Sequence, residues 1–288
     1  MDAITHSLGL PTAELPRFAL KLGLTHLWRN RHWPDLEEPT TFNELVQARK
    51  LQDRNPLLPL LADKVRVKDY IARRLGDDWV IPTLWHGTEL PEKPGWPLPF
   101  VLKSSHASCQ CAFVRTEGED WPRIRRRAHR WLRSSYGGIL DEWLYGKIEP
   151  QLLVEPFVGN GRSLPTDYKF FVFGGRAEFI QIDTDREHAH KRAIFDRDWR
   201  RLPVELQYPQ ERREIPRPAS LASMIEAAET LSRGFDFVRV DLYEVEGRPL
   251  FGELTFYPGS GLDRFRPAAF DRLFGSCWLE ARRQGRGR

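Results

Sequence analysis

The sequence predicts an α+β fold. Three observations carry the prediction. Apolar residues up to Gly76 recur at helical spacing. From Asp78 onward the pattern changes to short β-rich runs separated by Pro and Gly. Two pairs of those runs are joined by short Gly-containing turns. Helices first and mixed strands later fit α+β better than an alternating α/β sheet.

Leu15, Phe18, Ala19, Leu22 and Leu27 sit close to helical spacing, so Leu15–Trp28 reads as a helix. "PTTFNELVQARKLQDR" starts a second, with Thr41 as N-cap and Glu44 three positions on, the pairing of a capping box. "LADKVRVKDYIARRLG" reads as a third, begun by Asp63 and stopped by Gly76. "WVIPTLW", "PFVLKSS" and "CAFVRT" are β-type runs. "EGEDWPRIRRRAHRWLRSSYG" is an amphipathic helix with Trp121, Ile124, Ala128, Trp131 and Leu132 as its stripe. "PQLLVEPFV" is a strand. "DYKFFVFGGRAEFIQID" is a hairpin with Gly174 and Gly175 at its tip. Thr184–Arg217 is polar and reads as a long loop with local structure. "SLASMIEAAETLSRG" is a helix capped by Ser220 and ended by Gly234. "FVRVDLYEVEGRPLFGELTF" is a second hairpin, turning at Glu246 and Gly247.

Composition excludes several classes. Lys+Arg exceed Asp+Glu by 44 − 40 = 4. No basic stripe with interleaved aromatics appears, so nucleic acid is not an expected partner. "RIRRRAHR" and the tail "ARRQGRGR" read as solvated surface. Cys109, Cys111 and Cys277 form no disulfide framework and read as reduced thiols of a cytoplasmic protein. The first residues lack the pattern of a signal peptide. No apolar run approaches the ~18 residues of a membrane span.

The last hairpin poses the chemical question. Its flanks are apolar, yet one face carries Arg239, Asp241, Glu253 and Thr255. Cross-strand neighbours lie about 5 Å apart. Two carboxylates that close repel, and a cation relieves them. Oxygen ligands without His or Cys favour Mg²⁺, which shares its remaining sites with water and phosphate. Arg239 has the same strand parity as Asp241 and suits a phosphoryl or acyl oxygen. An exposed face with ordinary ion pairs fits the same pattern. Lys103 ends an apolar strand and can meet a phosphate, or only solvent. The small-residue loop after it, beginning at Ser104 and Ser105, can offer backbone N–H groups to phosphates. Glu155, Asp167 and Lys169 end or begin β-runs, where they can face a nucleotide or pair on the surface. His106, His188 and His190 are loop histidines with acid/base capacity. No Walker sequence and no GxSxG occurs.

Taken in order, "PTTFNELVQARKL", "LADKVRVKDYI", "PFVLKSSHAS", "LLVEPFV", "TDYKFFVFGGRAEFI", "FDRDW" and "FDFVRVDLYEVEGRPLFGELTFYPGSG" resemble the TupA-like (teichuronopeptide-biosynthesis) ATP-grasp family. The resemblance implies an ATP-grasp fold, two α+β units sandwiching ATP, with a short helical N-terminal segment. The expected division is 1–62 for that segment, 63–154 for the lid-side subdomain and 155–288 for the C-terminal subdomain with the Mg²⁺ and phosphate site. It implies that Lys64 and Lys103 meet the ATP phosphates. Glu155, Pro156, Phe157 and Val158 correspond to the hinge that reads adenine, and Asp167 to the acid near the ribose. Lys169 and Arg186 fall where related ligases carry basic groups. Asp241 and Glu253 match the magnesium carboxylates, and Arg239 the arginine that steadies the transferred phosphoryl group. Thr255 stands where many ATP-grasp enzymes have Asn. The loop after Lys103, "SSHASCQC", lacks the usual glycines.

The implied activity is an ATP- and Mg²⁺-dependent carboxylate–amine ligase acting through an acyl-phosphate. Its partners would be a small-molecule or glycan carboxylate and an amine, in cell-surface polysaccharide or peptidopolysaccharide synthesis. A kinase on the same scaffold, or a non-catalytic nucleotide- or polymer-binding protein, are the competing expectations.

Overall fold

The computed structural model describes residues 15–134, 136–138, 140–159, 164–185 and 189–286. The expected helices and strands largely form, for reasons visible in each segment. Helix α1 is Leu15–Asn30. Helix α2, Phe42–Gln52, starts at Thr41. The Thr41 hydroxyl accepts from the Glu44 N–H, and the Glu44 carboxylate accepts from the Thr41 N–H, so the capping box is complete. The third expected helix is two. Helix α3 is Leu57–Ala62 and helix α4 is Val67–Leu75. Asp63 does not start α4. It ends α3, and its carboxylate accepts from the Val65 and Arg66 N–H groups, bending the chain between the two helices. Gly76, at φ 97°, stops α4 as expected.

Strands β1 (Trp85–Gly87), β2 (Phe100–Ser104), β3 (Cys111–Val114) and β4 (Leu152–Pro156) form a four-stranded antiparallel sheet in the order β1-β4-β2-β3. Only the end of "WVIPTLW" is strand. Helix α5, Trp121–Leu132, is capped by the Asp120 carboxylate, which accepts from the Arg123 N–H at 2.9 Å. Phe100, Leu102, Ala112, Val114, Leu152 and Val154 turn one sheet face to Trp121, Ile124 and Ala128 of α5. Alternation therefore sends Lys103 and Glu155 to the other face.

The second sheet holds β5 (Asp167–Phe173), β6 (Arg176–Thr184), β7 (Lys191–Asp196), β9 (Phe237–Val245) and β10 (Arg248–Thr255), in the order β10-β9-β5-β6-β7. Both two-residue turns carry positive φ, 54° and 90° at Gly174 and Gly175, 53° and 76° at Glu246 and Gly247. The polar stretch from Thr184 to Arg217 is more ordered than its sequence suggests. It contains β7 and the short strand β8 (Glu205–Leu206), which pairs with β11 (Phe265–Arg266). Ser220 stands at the N-cap of helix α6 (Leu221–Leu231), without a side-chain cap bond. Helix α6 packs against β5 and β6. The tail is helical, since helix α7 runs through Ala269–Arg286, and Arg283, Gln284 and Gly285 in its last turns are exposed, as read.

By packing, the chain forms two compact units. One comprises the described residues of Met1–Asn55, Thr166–Leu242 and Leu254–Arg288. The other comprises those of Pro56–Pro165 and Tyr243–Glu253. The units interleave along the sequence, whereas the division expected from sequence is consecutive. In the first unit, Phe42, Phe171, Phe237, Phe274 and Trp278 build one aromatic core. Phe171 and Phe237 have the strand parity of Lys169 and Arg239. The same sheet face is aromatic at one end and charged at the other.

Candidate active site

The charged end of the large sheet is built by strand register. Asp167 of β5 lies directly opposite Asp183 of β6, Lys169 opposite Gln181, and Asp183 opposite Arg192 of β7. Two acids at one cross-strand position repel unless cations intervene. Here they do. The Lys169 ammonium donates to Asp167 and, at 2.7 Å, to Asp241 Oδ2. Arg239 donates to the same carboxylate through Nε and Nη2, both at 2.7 Å, and to Thr255 Oγ1 at 3.0 Å. Asp241 is 1% exposed. Burial opposes the charge on Lys169, but Asp167 and Asp241 hold its pKa above the ordinary lysine value.

The row continues outward. Arg192 Nε donates to Asp183 Oδ1 at 2.6 Å, and Gln181 Nε2 to Asp183 Oδ2 at 3.0 Å. His190 Nε2 lies 3.2 Å from Asp183 Oδ1, with its ring stacked on Tyr208 at 3.7 Å. Against the cost of burial, Arg192 keeps the Asp183 carboxyl well below the usual range. Sequence reasoning missed Asp183 and Arg192. The parity of Asp183 was readable from β6, but Arg192 lies in the strand that had been read as loop. Arg186 and His188 lie outside the described residues.

In the other unit, Glu155 is the centre. Its carboxylate takes Lys103 at 2.6 Å and Lys68 at 2.5 Å. Burial raises the cost of its charge, yet the two ammonium groups hold its pKa below normal. Lys103 is held above normal by Glu155 despite burial. Lys68, also missed, donates further to the Ile81 carbonyl and to Thr83 Oγ1. Its signal was weak: four residues after Lys64, with a partner far along the chain. Lys64 donates to the Ala107 carbonyl at 2.8 Å, and burial lowers its pKa, with Glu253 the largest opposing influence. The N–H groups of Ser104 and Ser105 donate to the Gln110 and Gln151 carbonyls. They shape the loop after Lys103 from within. The Phe157 N–H donates to the Pro99 carbonyl at 3.0 Å, and the Phe157 ring lies 6.0 Å from Phe113, with Arg115 over both rings.

The donor chemistry fits magnesium. Asp241 and Thr255 present hard oxygens gathered around one guanidinium, and a dication suits the same oxygens. Among the described residues, no group of three or more His, Cys, Asp and Glu side chains is placed to hold a metal. Mg²⁺ needs no such cage when one or two carboxylates share it with phosphate. No helix among the described residues is long and apolar enough to cross a membrane.

No curated protein matches the sequence significantly. Solved structures give weak superpositions. D-alanine–D-alanine ligase from Bacillus anthracis is 14% identical over 79% of this chain and 69% of its own, with a TM-score of 0.43. L-amino acid ligase from Bacillus licheniformis is 13% identical over 76% of this chain and 50% of its own, with a TM-score of 0.46. The ATP-grasp ligase PsnB, in complex with a precursor variant, Mg and ADP, is 10% identical over 83% of this chain and 65% of its own, with a TM-score of 0.43. The sequence profile of the TupA-like ATP-grasp family, by contrast, matches residues 44–279. That match spans most of the chain, including both charge clusters, and the chain therefore belongs to the TupA-like ATP-grasp family.

Proposed function

We propose that the chain joins a carboxylate to an amine through an acyl-phosphate, in the synthesis of a cell-surface polysaccharide or peptidopolysaccharide. The carrying observation is the buried Lys169–Asp241–Arg239 cluster. Two cations are stored on a carboxylate that a metal ion also suits. Bound ATP would give those cations phosphate oxygens as new partners, and Mg²⁺ would take Asp241, Glu253 and Thr255. Magnesium supplies charge neutralisation at the phosphates. Lys64 and Lys103 bind the phosphates, with Glu155 aiming Lys103. Of the stretch Glu155–Val158, Pro156 has no N–H and the Phe157 N–H is taken. The adenine edge would then use carbonyls and the Val158 N–H. Asp167 would serve the ribose, and Lys169 and Arg186 would act on phosphate or substrate. The γ-phosphoryl group passes to the substrate carboxylate, leaving ADP, and the amine displaces phosphate. Arg239 holds the phosphoryl group as its charge spreads.

Hydroxylamine tests the reading. With ATP, Mg²⁺ and a candidate carboxylate, it intercepts a mixed anhydride as a hydroxamate, alongside ADP. Arg239→Ala should suppress the hydroxamate far more than it weakens ATP binding. ADP with a stable phosphoester and no hydroxamate would replace the ligase with a kinase. Nucleotide binding without ADP would indicate a non-catalytic binder.

A further inference from the structure

Helix α1 has two apolar sides. Leu22, Gly23 and His26 are buried. At 3.6 residues per turn, Leu20, Leu24, Leu27 and Trp28 fall together on the opposite side. They are 52%, 53%, 39% and 68% exposed. Trp33, 51% exposed, lies against Gly23, where a Cβ would come within 2.4 Å of its ring. A helix apolar all round normally has both sides covered. The exposed parts of the four side chains on that side, Leu20, Leu24, Leu27 and Trp28, amount to on the order of 400 Å². That is the size at which a patch on a monomer is often functional.

Charge indicates what covers it. Leu15–Pro34 contains no Asp or Glu, but has Arg17, Lys21, Arg29 and Arg31. The Arg29 guanidinium lies 5.4 Å from the Trp28 ring. A second copy pairing α1 with α1 would set cation against cation. An anionic lipid surface offers hydrocarbon to the Leu and Trp side chains and phosphates to the Arg and Lys side chains. We propose that α1 docks the chain on anionic lipid, lying in the plane of the interface without crossing it.

Flotation of the full chain with phosphatidylcholine vesicles, with and without phosphatidylglycerol, tests this. Tryptophan quenching by brominated acyl chains is read in parallel. Binding is expected on phosphatidylglycerol vesicles, with quenching, and should weaken as salt rises. Leu24→Asp and Trp28→Ser should each lower vesicle affinity at least about tenfold. Both side chains are exposed, so the unfolding midpoint should not move. No binding to either vesicle, or equal binding to both, overturns the proposal. So does a concentration-dependent dimer that Leu24→Asp dissolves, which would assign the face to a second copy. Capture of an acidic protein without vesicle binding would also overturn it.

Discussion

Asp241 accepts from two cations at once, Lys169 buried and Arg239 partly so, and this changes what its substitution tests. Asp241→Asn should abolish Mg²⁺-dependent ATP turnover. It also leaves Lys169 and Arg239 short of an anion, which costs on the order of 3–5 kcal/mol of stability. Glu253 is only partly buried, so Glu253→Gln should lose turnover with a much smaller stability change. Urea unfolding beside the activity assay separates the two effects. Full turnover in Glu253→Gln would remove that residue from the metal set. Lys103→Met should weaken a non-hydrolysable ATP analogue by about 1.5–3 kcal/mol in titration calorimetry. Lys68 still neutralises Glu155 in that variant, so the unit should stay folded. Unchanged affinity would leave Lys103 a structural partner of Glu155 and nothing more.

Two helices carry groups with opposing pH responses. Burial lowers His26 of α1 from 6.5 to about 4. Its contribution is whole above pH 6.5 and is lost as pH falls toward 4, because the unfolded chain takes the proton first. Burial raises Asp271 of α7 from 3.8 to about 6, although Asn43 donates to both of its oxygens. Its contribution is whole below 3.8 and is lost as pH rises through 6. Across that shared window the two oppose, each on the order of 2 kcal/mol. His26→Gln should therefore gain stability between pH 6.5 and 4.5, and Asp271→Asn should lose it. Denaturant midpoints at the two pH values provide the check; unaltered profiles in both variants would refute the assignment. Gly275 of α7 meets α2 so closely that an added Cβ would lie 2.2 Å from the Thr40 carbonyl. Gly275→Ala should cost about 1–3 kcal/mol, read as a lower unfolding midpoint. Little of this was legible in sequence. The Thr41–Glu44 box and both glycine turns were, since their signals are complete within a few residues. Strand β7 was not, because six residues beside a polar stretch carry too little pattern. The end of α7 was legible in part: Arg283 faces solvent as read, whereas Arg282 pairs with Asp236.

Over the whole molecule, the chain passes between the two units four times. Packing decides where those passages fall, and periodicity within a segment says nothing about it. The site was partly legible for the same reason. Strand parity placed Arg239 with Asp241, and Asp167 with Lys169. No local pattern could join Glu155 to Lys68 or Asp183 to Arg192. The interleaving has a measurable result. Pro56–Pro165 made alone lacks Tyr243–Glu253, which packs with it in the intact chain. That fragment should unfold at lower urea than a fragment with the 243–253 segment fused to it. Tryptophan fluorescence of Trp85, Trp96 and Trp121, which cluster in its core, reports the transition. Equal midpoints would mean that the segment adds no stability there.

Gly259, Ser260 and Gly261 follow the β9–β10 hairpin with φ of 53°, 57° and 65°. The buried Lys50 ammonium donates to the Ser260 hydroxyl at 2.6 Å and to its carbonyl at 2.8 Å, and the Gln47 amide donates to the Ser260 and Gly261 carbonyls. Over these residues the backbone is a short mirror image of an ordinary helical turn. An L-residue there carries a steric cost of about 1–2 kcal/mol, which glycine at 260 would relieve. Glycine would also remove the hydroxyl that accepts from the Lys50 ammonium, leaving it the residue-260 carbonyl. D-serine would relax the backbone equally well but send the hydroxyl along a different vector from Cα. Chirality thus sets a conflict at one atom: the enantiomer that suits the main chain is not the one that reaches Lys50.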